Sequence, residues 1–410
     1  SKRFSRERDK TIRKMHLLRI DLFFLNLRKV FFLNRQTVGR FSAIIIKEFF
    51  MPKAPQTYAK TNSARLTTLI REMTKELPPV VGDFIYSIED QYSPMTRLSY
   101  LYDLRLFFNY LISEVPRFAD LQVSEMTLDE IRGITQADLE RYPNYLTLYY
   151  KNNSDEPIEN AEAGKMRKLC SLRSFYKYLF AHKYVPGNIA ELIPLPKLRQ
   201  KEIIRLEPDE VARLLDAAES GEGFGARQKT YTAHTRMRDV AILTLLLGTG
   251  IRVSECVGLN TDDLNFEENS MFVTRKGGKE MILYFSDEVA SALKAYLAER
   301  KDVQPLPGHE GALFLSLQRR RITQRAIENL VKKYAAIAAP LKRKISPHKL
   351  RSTYGTTLYN ETGDIYLVAD VLGHADVNTT RKHYAAMSEN RRRMAAKAVK
   401  LRDDEHGSSE

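Results

Sequence analysis

Cysteine is scarce in this chain of 410 residues, which has only Cys170 and Cys256. They stand far apart, no CxxC pair occurs, and each has an apolar residue beside it, Leu169 or Val257. This argues against a disulfide scaffold or a cysteine-based metal site, and two buried thiols in a reducing cytoplasm are expected. No clustered acidic set and no His/Cys set with ligand spacing appears, so two-metal phosphoryl transfer lacks support and no metal or other cofactor is expected. There is no P-loop, repeat or heptad array. Gly248 to Gly250 follow a helical run without the glycine spacing of a dinucleotide fingerprint. Long uncharged runs are missing as well. LLRIDLFFLNLRKVFFL is apolar but interrupted by Arg19, Asp21, Arg28 and Lys29. It reads as neither a membrane span nor a secretory leader, and no membrane partner is expected.

Charge is present but uneven. The formal net charge is +14, and residues 1–50 hold 13 Lys/Arg against four Asp/Glu. Those residues therefore carry most of the excess, and overall charge is weak support for a nucleic-acid partner; local clusters matter more. Composition changes abruptly at Met51. Residues 1–50 are read as a basic N-terminal extension, with Met51 a candidate first residue of the native protein; a basic amphipathic surface helix is the alternative.

From about 60 to 192 the pattern is helical. SPMTRLSYLYDLRLFFNYLISEV places Leu98, Leu101, Leu104, Phe108 and Leu111 on one stripe, with Ser93 as N-cap, Pro94 in the first turn and Pro116 beyond the end. MRKLCSLRSFYKYLFAHKY repeats the pattern, with Leu169, Leu172, Phe175, Tyr178 and Leu179 facing inward. ITQADLERYPNYLTLYY and the weaker PPVVGDFIYSIEDQY complete a bundle of about four helices. The polar faces carry Thr96, Arg97, Arg105, Lys165, Arg167, Lys168, Arg173 and Lys177. Singly these are ordinary solvated residues; as a group they suit a surface that tracks a DNA backbone.

PLPKLRQ, residues 194–200, has the proline and basic content of a linker. LEPDEVARLLDAAES then starts a helix near Glu207 or Asp209. GEGFGARQKTYTAHTRMRD reads as a loop, and RDVAILTLLLGTG as a buried helix. SMFVTR and EMILYF bracket KGGK and predict a hairpin, with ALFLS a weaker strand signal. Beyond Thr323 the helical pattern returns. The fold class expected is mainly α: an N-terminal four-helix domain and a mostly helical second domain with a small antiparallel sheet. The boundaries are 51–192, a linker at 193–200, 201–400, and a disordered tail at 401–410.

The residues suited to chemistry lie mainly in the second domain. Arg252 follows the buried helix in TGTGIRVSE, with Glu255 one turn later as a partner to orient it. Arginine's rigid fork clamps a phosphoryl group through paired hydrogen bonds. His348 and Arg351, three apart in HKLR, share a helix face with Pro347 at its start. His348 can relay a proton while Arg351 shares developing negative charge. His374 follows Gly373 as a second donor to a phosphate oxygen. Tyr384 ends a polar basic run, and a tyrosine attacking phosphorus stores the phosphodiester energy in a covalent bond. Nearby cations help its phenolate form. Lys276 and Lys279 at the hairpin tip are both candidates to protonate a leaving 5′-oxygen, and the residues alone do not separate them.

At these positions the chain resembles the tyrosine recombinases, also called lambda-type integrases. TGTGIRVSECVGL is similar to the family's first arginine box, HKLRSTYGTTLY to its HxxR box, and LGHADVNTTRKHY to the stretch ending in the nucleophile. RKGGK resembles the lysine turn, and TRLSYLYDLRLFFNYL the core-binding helix, so the likeness spans about residues 60–400. It implies that residues 51–192 form a SAM-like core-binding DNA-binding domain and residues 201–400 the catalytic domain. It implies that Arg252 and Arg351 hold the scissile phosphate, His348 assists proton movement, and His374 stabilises the same phosphate. It further implies Lys276 as general acid, Glu255 in support, and Tyr384 forming a 3′-phosphotyrosyl bond. Candidate DNA contacts are Thr96, Arg97, Lys165, Arg167, Lys168, Arg173 and Lys279. The implied partners are double-stranded DNA with a specific site, a homo- or hetero-tetramer joined through the helix ENRRRMAAKAVKL, and an accessory protein. The implied setting is the bacterial cytoplasm, at the nucleoid. The chain resembles the Xer-like group, which resolves chromosome dimers. Integrases of phages and conjugative elements share the same catalytic set, and a type IB topoisomerase shares the chemistry without pairing sites.

Overall fold

The computed structural model describes residues 58–150, 156–198, 204–225, 232–275, 278–342, 344–374, 376–378 and 380. Its first helices are α1 (Tyr58–Thr74), α2 (Pro79–Ser87), α3 (Pro94–Glu114), α4 (Leu128–Arg132) and α5 (Gln136–Tyr145). A hairpin of β1 (Leu148–Tyr150) and β2 (Pro157–Glu159) follows, then α6 (Glu162–Ala181). Their start signals are local. Pro79 and Pro94 stand in first turns, where a missing N–H removes no helical bond. The Ser93 side chain accepts from the Thr96 amide. Thr127 with Glu130, and Thr135 with Asp138, form reciprocal capping boxes.

One core joins these helices, running from Leu66 to Ile193. The expected α3 stripe lies inside it: Leu98, Leu101, Leu104, Phe108 and Leu111 are all buried. On α6 the inward face differs slightly from expectation. Tyr176 is buried and Tyr178 only half-buried, its ring lying 4.2 Å from that of His182. Cys170 is exposed, contrary to the expectation from its apolar neighbour, because Leu169 and Ser171 take the inward positions. The LTLYY run, read as a helical continuation, forms strand β1 instead. It pairs antiparallel with β2 in the register Leu148↔Glu159, Tyr149↔Ile158 and Tyr150↔Pro157. Inside the core, the buried Asp103 carboxylate accepts from Ser171 Oγ at 2.7 Å and pairs with Arg167.

The remaining elements are α7 (Pro208–Ser220), α8 (Arg236–Thr249), α9 (Val253–Gly258), β3 (Leu264–Asn265), β4 (Ser270–Thr274) and β5 (Glu280–Tyr284). After them come α10 (Asp287–Arg300), α11 (Gln324–Ala338), α12 (Pro347–Thr362) and α13 (Ile365–Leu372). Helix α8 is enclosed on all sides, packed against α7, α10 and α12, and every residue from Ala241 to Leu246 is buried. An all-apolar helix satisfies its backbone internally and belongs at the centre of a core. A single carboxylate at its start, Asp239, collects Arg238, Lys333, Tyr334 and Thr235, which ties α8 to α11.

The three-stranded antiparallel sheet runs in the order β3-β4-β5. Its third strand is Leu264–Asn265 rather than ALFLS. Residues 312–315 are buried, but they make only isolated bridges, Ala312 to Asn260 and Leu315 to Arg321. The linker's residues 194–198 have no regular structure, and the C-terminal ENRRRMAAKAVKL segment lies outside the described residues. Among the described residues no helix is long and apolar enough to cross a membrane.

Candidate functional site

Short-range signals position each arginine. Helix α8 ends at Gly250, whose φ of 62° is the left-handed C-cap conformation that glycine adopts without Cβ strain. Two residues later Arg252 is the N-cap of α9. Its amide donates to Glu255 Oε2 at 3.0 Å and its Nη1 to Glu255 Oε1 at 2.8 Å. Glu255 is buried, so the carboxylate that fixes Arg252 is itself fixed by the helix. Arg351 lies one turn into α12 and is only 5% exposed. Its Nη1 donates to the Gly250 carbonyl. His348, one turn before it, is on the exposed side of that helix start.

These residues meet at the C-terminus of α13. The last carbonyls of a helix have no intrahelical donors and carry partial negative charge. Here guanidiniums supply the donors. Arg351 Nη2 donates to the Leu372 carbonyl, and Arg252 Nη2 donates to the Gly373 carbonyl at 2.9 Å. A third arginine joins them: Arg275 Nη2 donates to the Val371 carbonyl at 2.6 Å and its Nη1 to that of Asp370 at 3.4 Å. Three cations from α9, α12 and the end of β4 thus share one helix end, with Glu255 the buried acid among them. Gly373, with a φ of 60°, is the C-cap; a Cβ there would overlap the Arg275 guanidinium. His374 follows at once. Its amide donates to the Ala369 carbonyl at 2.9 Å, and its Nδ1 lies 2.7 Å from the hydroxyl of buried Thr380.

Such an arrangement is chemically suited to an anion. A guanidinium has five N–H donors in a rigid fork, and the carbonyl and carboxylate bonds of Arg252 occupy only part of that set. The carbonyls hold the forks in fixed directions, which reduces the ordering needed when an oxyanion arrives. Burial lowers the proton affinity of Arg275, the Arg252 charge adds to this, and Glu255 and Asp370 oppose it. The neighbouring Cys256 thiol is no rival nucleophile: burial, then the Glu255 charge, push it up to about 12. Among the described residues no three His, Cys, Asp or Glu side chains are grouped to hold a metal ion.

Arg252, Arg351, Glu255 and His374 are therefore brought together, with His348 on the same helix as Arg351. Lys276 and Tyr384 lie outside the described residues. Lys279 is exposed beside the hairpin turn. Of the candidate DNA contacts, Thr96 bonds Ser93 Oγ at 3.0 Å and Lys165 pairs with Glu162 at 2.9 Å. Arg167 is half-exposed above Asp103. Arg97 and Lys168 are not on an open face. Both are buried, Arg97 against Glu89 at 2.8 Å and Lys168 against Asn160 Oδ1 at 2.7 Å. Arg173 donates to the carbonyls of Ala190, Glu191 and Ile193. Arg275 escaped the sequence reading, although a signal was present. Met271 and Val273 are the buried apolar positions of β4, and Arg275 continues their alternation inward.

With this geometry in place, comparison with known proteins is decisive. Residues 204–391 match the phage integrase family. The chain is 32% identical over 316 residues to the tyrosine recombinase XerC of Caldanaerobacter subterraneus, covering 74% of this chain and 82% of that one. The chain belongs to the phage integrase family of tyrosine recombinases. It is also 31% identical over 338 residues to the tyrosine recombinase XerS of Streptococcus equi, covering 77% of this chain and 94% of that one. The Tn1549 transposon integrase, solved with circular intermediate DNA, shares the fold. Its TM-score is 0.55 at 19% identity, over 78% of this chain and 99% of that one.

Proposed function

We propose that this tyrosine recombinase cleaves and rejoins duplex DNA at a specific site through a 3′-phosphotyrosyl intermediate, in the manner of the Xer group. The observation that carries the reading is the convergence of Arg252, Arg351 and His374 on the α13 C-terminus, a constellation of donors fit for a phosphodiester. Arg252 and Arg351 hold the scissile phosphate and share the charge of the phosphorane, with Glu255 orienting Arg252. The Tyr384 oxygen attacks phosphorus and its proton passes to His348. The bond from phosphorus to the 5′-oxygen breaks, and that oxygen takes a proton from Lys276. His374 donates to a non-bridging oxygen. Attack by a partner strand's 5′-hydroxyl reverses the step, so exchange proceeds through a Holliday junction without a nucleotide cofactor.

Residues 51–192 serve as the core-binding domain and 201–400 as the catalytic domain, joined at 193–200. Thr96, Lys165, Arg167 and Lys279 remain as candidate backbone contacts. Arg97 and Lys168 are directed into the protein, and Arg173 to its carbonyls. Four protomers form the synapse through the C-terminal helix, an accessory protein assists, and the enzyme works at the nucleoid. Chromosome dimer resolution is the role favoured by identity to XerC and XerS proteins across most of the chain. A mobile-element integrase is the second reading, favoured by the fold match along nearly all of the Tn1549 fragment. The test is a plasmid bearing two copies of a site selected from a randomised pool by wild-type adduct formation. Resolution into two circles is expected; relaxation of supercoils without exchange would instead mark a topoisomerase.

A further inference from the structure

Among the described residues, Arg275 is the one arginine at the α13 terminus to which the reaction above gives no task. Its backbone closes the β4–β5 turn: its amide donates to the Lys279 carbonyl at 2.6 Å, and its carbonyl accepts from the Gly278 amide at 3.1 Å. Its side chain reaches 95 and 96 residues along the chain to the carbonyls of Asp370 and Val371. The residue is thus fixed at both ends, to the hairpin by its backbone and to α13 by its fork. Its Nε is buried without a hydrogen-bond partner among the described residues. A buried donor left unmatched is unfavourable, so the remaining bonds of the fork must outweigh it. The fit is close on the α13 side too, since only a glycine at 373 leaves room for the guanidinium. Both helix-end polarity and like-charge repulsion from Arg252 act on it, and α13's carbonyls prevail.

We propose that Arg275 is a positioning residue that seats the β4–β5 turn on the C-terminus of α13, registering Lys276, the next residue in the chain, against the phosphate held by Arg252 and Arg351. The proposal rests on the reading of Lys276 as general acid. A lysine has a long flexible stem, and proton transfer to a leaving oxygen requires hydrogen-bond reach, so the base of its turn must be fixed relative to the phosphate clamp. Binding the turn to the Asp370 and Val371 carbonyls, beside the Leu372 and Gly373 carbonyls that hold Arg351 and Arg252, achieves that through one helix end.

The test uses the full-length enzyme and a nicked suicide duplex bearing a site selected from a randomised pool. One version has the ordinary 5′-oxygen at the scissile position and another a 5′-bridging sulfur, which leaves without protonation. Arg275→Gln is expected to cleave the oxygen duplex about tenfold or more slowly than wild type, a part of the roughly 10²–10⁴-fold that a positioned general acid contributes, and to recover near wild-type rate on the sulfur duplex. Lys276→Ala, run beside it, is expected to show the same rescue. Equal slowing of Arg275→Gln on both duplexes, with Lys276→Ala rescued, would assign Arg275 to folding alone and overturn the proposal. Wild-type rates for Arg275→Gln on both would overturn it as well. Failure to rescue Lys276→Ala would instead remove the general-acid reading, and the proposal with it. Should Arg275→Gln not fold, Arg275→Lys carries the same comparison with part of the loss.

Discussion

Replacing Gly250 by alanine tests how closely the two arginine boxes are packed. Gly250 has a φ of 62°, where an L side chain is strained by about 1–2 kcal/mol. A Cβ there would also overlap the Tyr354 ring and lie 2.9 Å from Leu372 Cδ2. Tyr354 belongs to α12, so relief requires moving a helix or a ring, an overpacking penalty of about 1–3 kcal/mol. Loss of glycine's freedom in the unfolded chain returns about 0.4–1 kcal/mol. The net is a destabilisation of about 1–4.6 kcal/mol, centred on about 3, which corresponds to roughly 6–12 °C in Tm for a domain of this size. Two controls separate the causes. Gly221 has a φ of 70° with nothing within 4 Å, so Gly221→Ala carries strain alone. Gly187 has open space and no positive φ, so Gly187→Ala should be neutral or slightly stabilising. Thermal unfolding followed by circular dichroism should rank the losses Gly250, then Gly221, then Gly187. Because the Gly250 carbonyl holds Arg351, cleavage at a temperature where Gly250→Ala is folded should fall too. A Gly250→Ala variant no less stable than Gly221→Ala would refute the packing described for this turn.

Glu255→Gln keeps an oxygen for the Arg252 amide but removes the charge facing its fork; a charged bond exceeds a neutral one by about 1–1.5 kcal/mol, so single-turnover cleavage should slow about tenfold. An unchanged rate would show that Arg252 is held by the Gly373 carbonyl alone. Iodoacetamide at pH 8 should label exposed Cys170 in the folded protein and spare Cys256, as read by peptide mass. Cys256 has a folded pKa raised from 9.0 to about 12, so its share of stability is complete below 9.0 and is lost as pH rises through that window; Tm should be steeper with pH there in wild type than in Cys256→Ala. Arg97→Gln should lower Tm without changing the salt dependence of DNA affinity, whereas Lys279→Gln should reduce the slope of log affinity on log salt by about one contact's worth. The opposite pattern would reverse the burial assigned to these two residues.

Much of the fold was legible because its signals are local. The α3 stripe, the Ser93 cap and the apolar run of α8 each need only a few neighbouring residues to be read. Arg252 and Arg351 stood out because charged residues beside apolar helices require partners. What they bind, however, is a set of carbonyls at 372, 373 and 250, and backbone groups leave no mark on a sequence. The β1–β2 hairpin was missed because three residues alternate too briefly to be told from a helix end. ALFLS has the composition of a strand, but its residues find only isolated bridges, so burial and pairing parted company. Arg97 and Lys168 looked solvated because each partner, Glu89 or Asn160, lies eight residues away across a turn. Arg275 was hidden by the more conspicuous lysine beside it, although strand alternation pointed it inward.

The central claim is tested most directly by incubating wild type and Tyr384→Phe with the selected nicked suicide duplex and resolving the products on a denaturing gel. A covalent protein–DNA adduct in wild type alone, yielding a tryptic peptide with nucleotide attached at Tyr384, is the predicted result. An adduct that persists in Tyr384→Phe, or none in wild type across the whole randomised pool despite DNA binding, would contradict it.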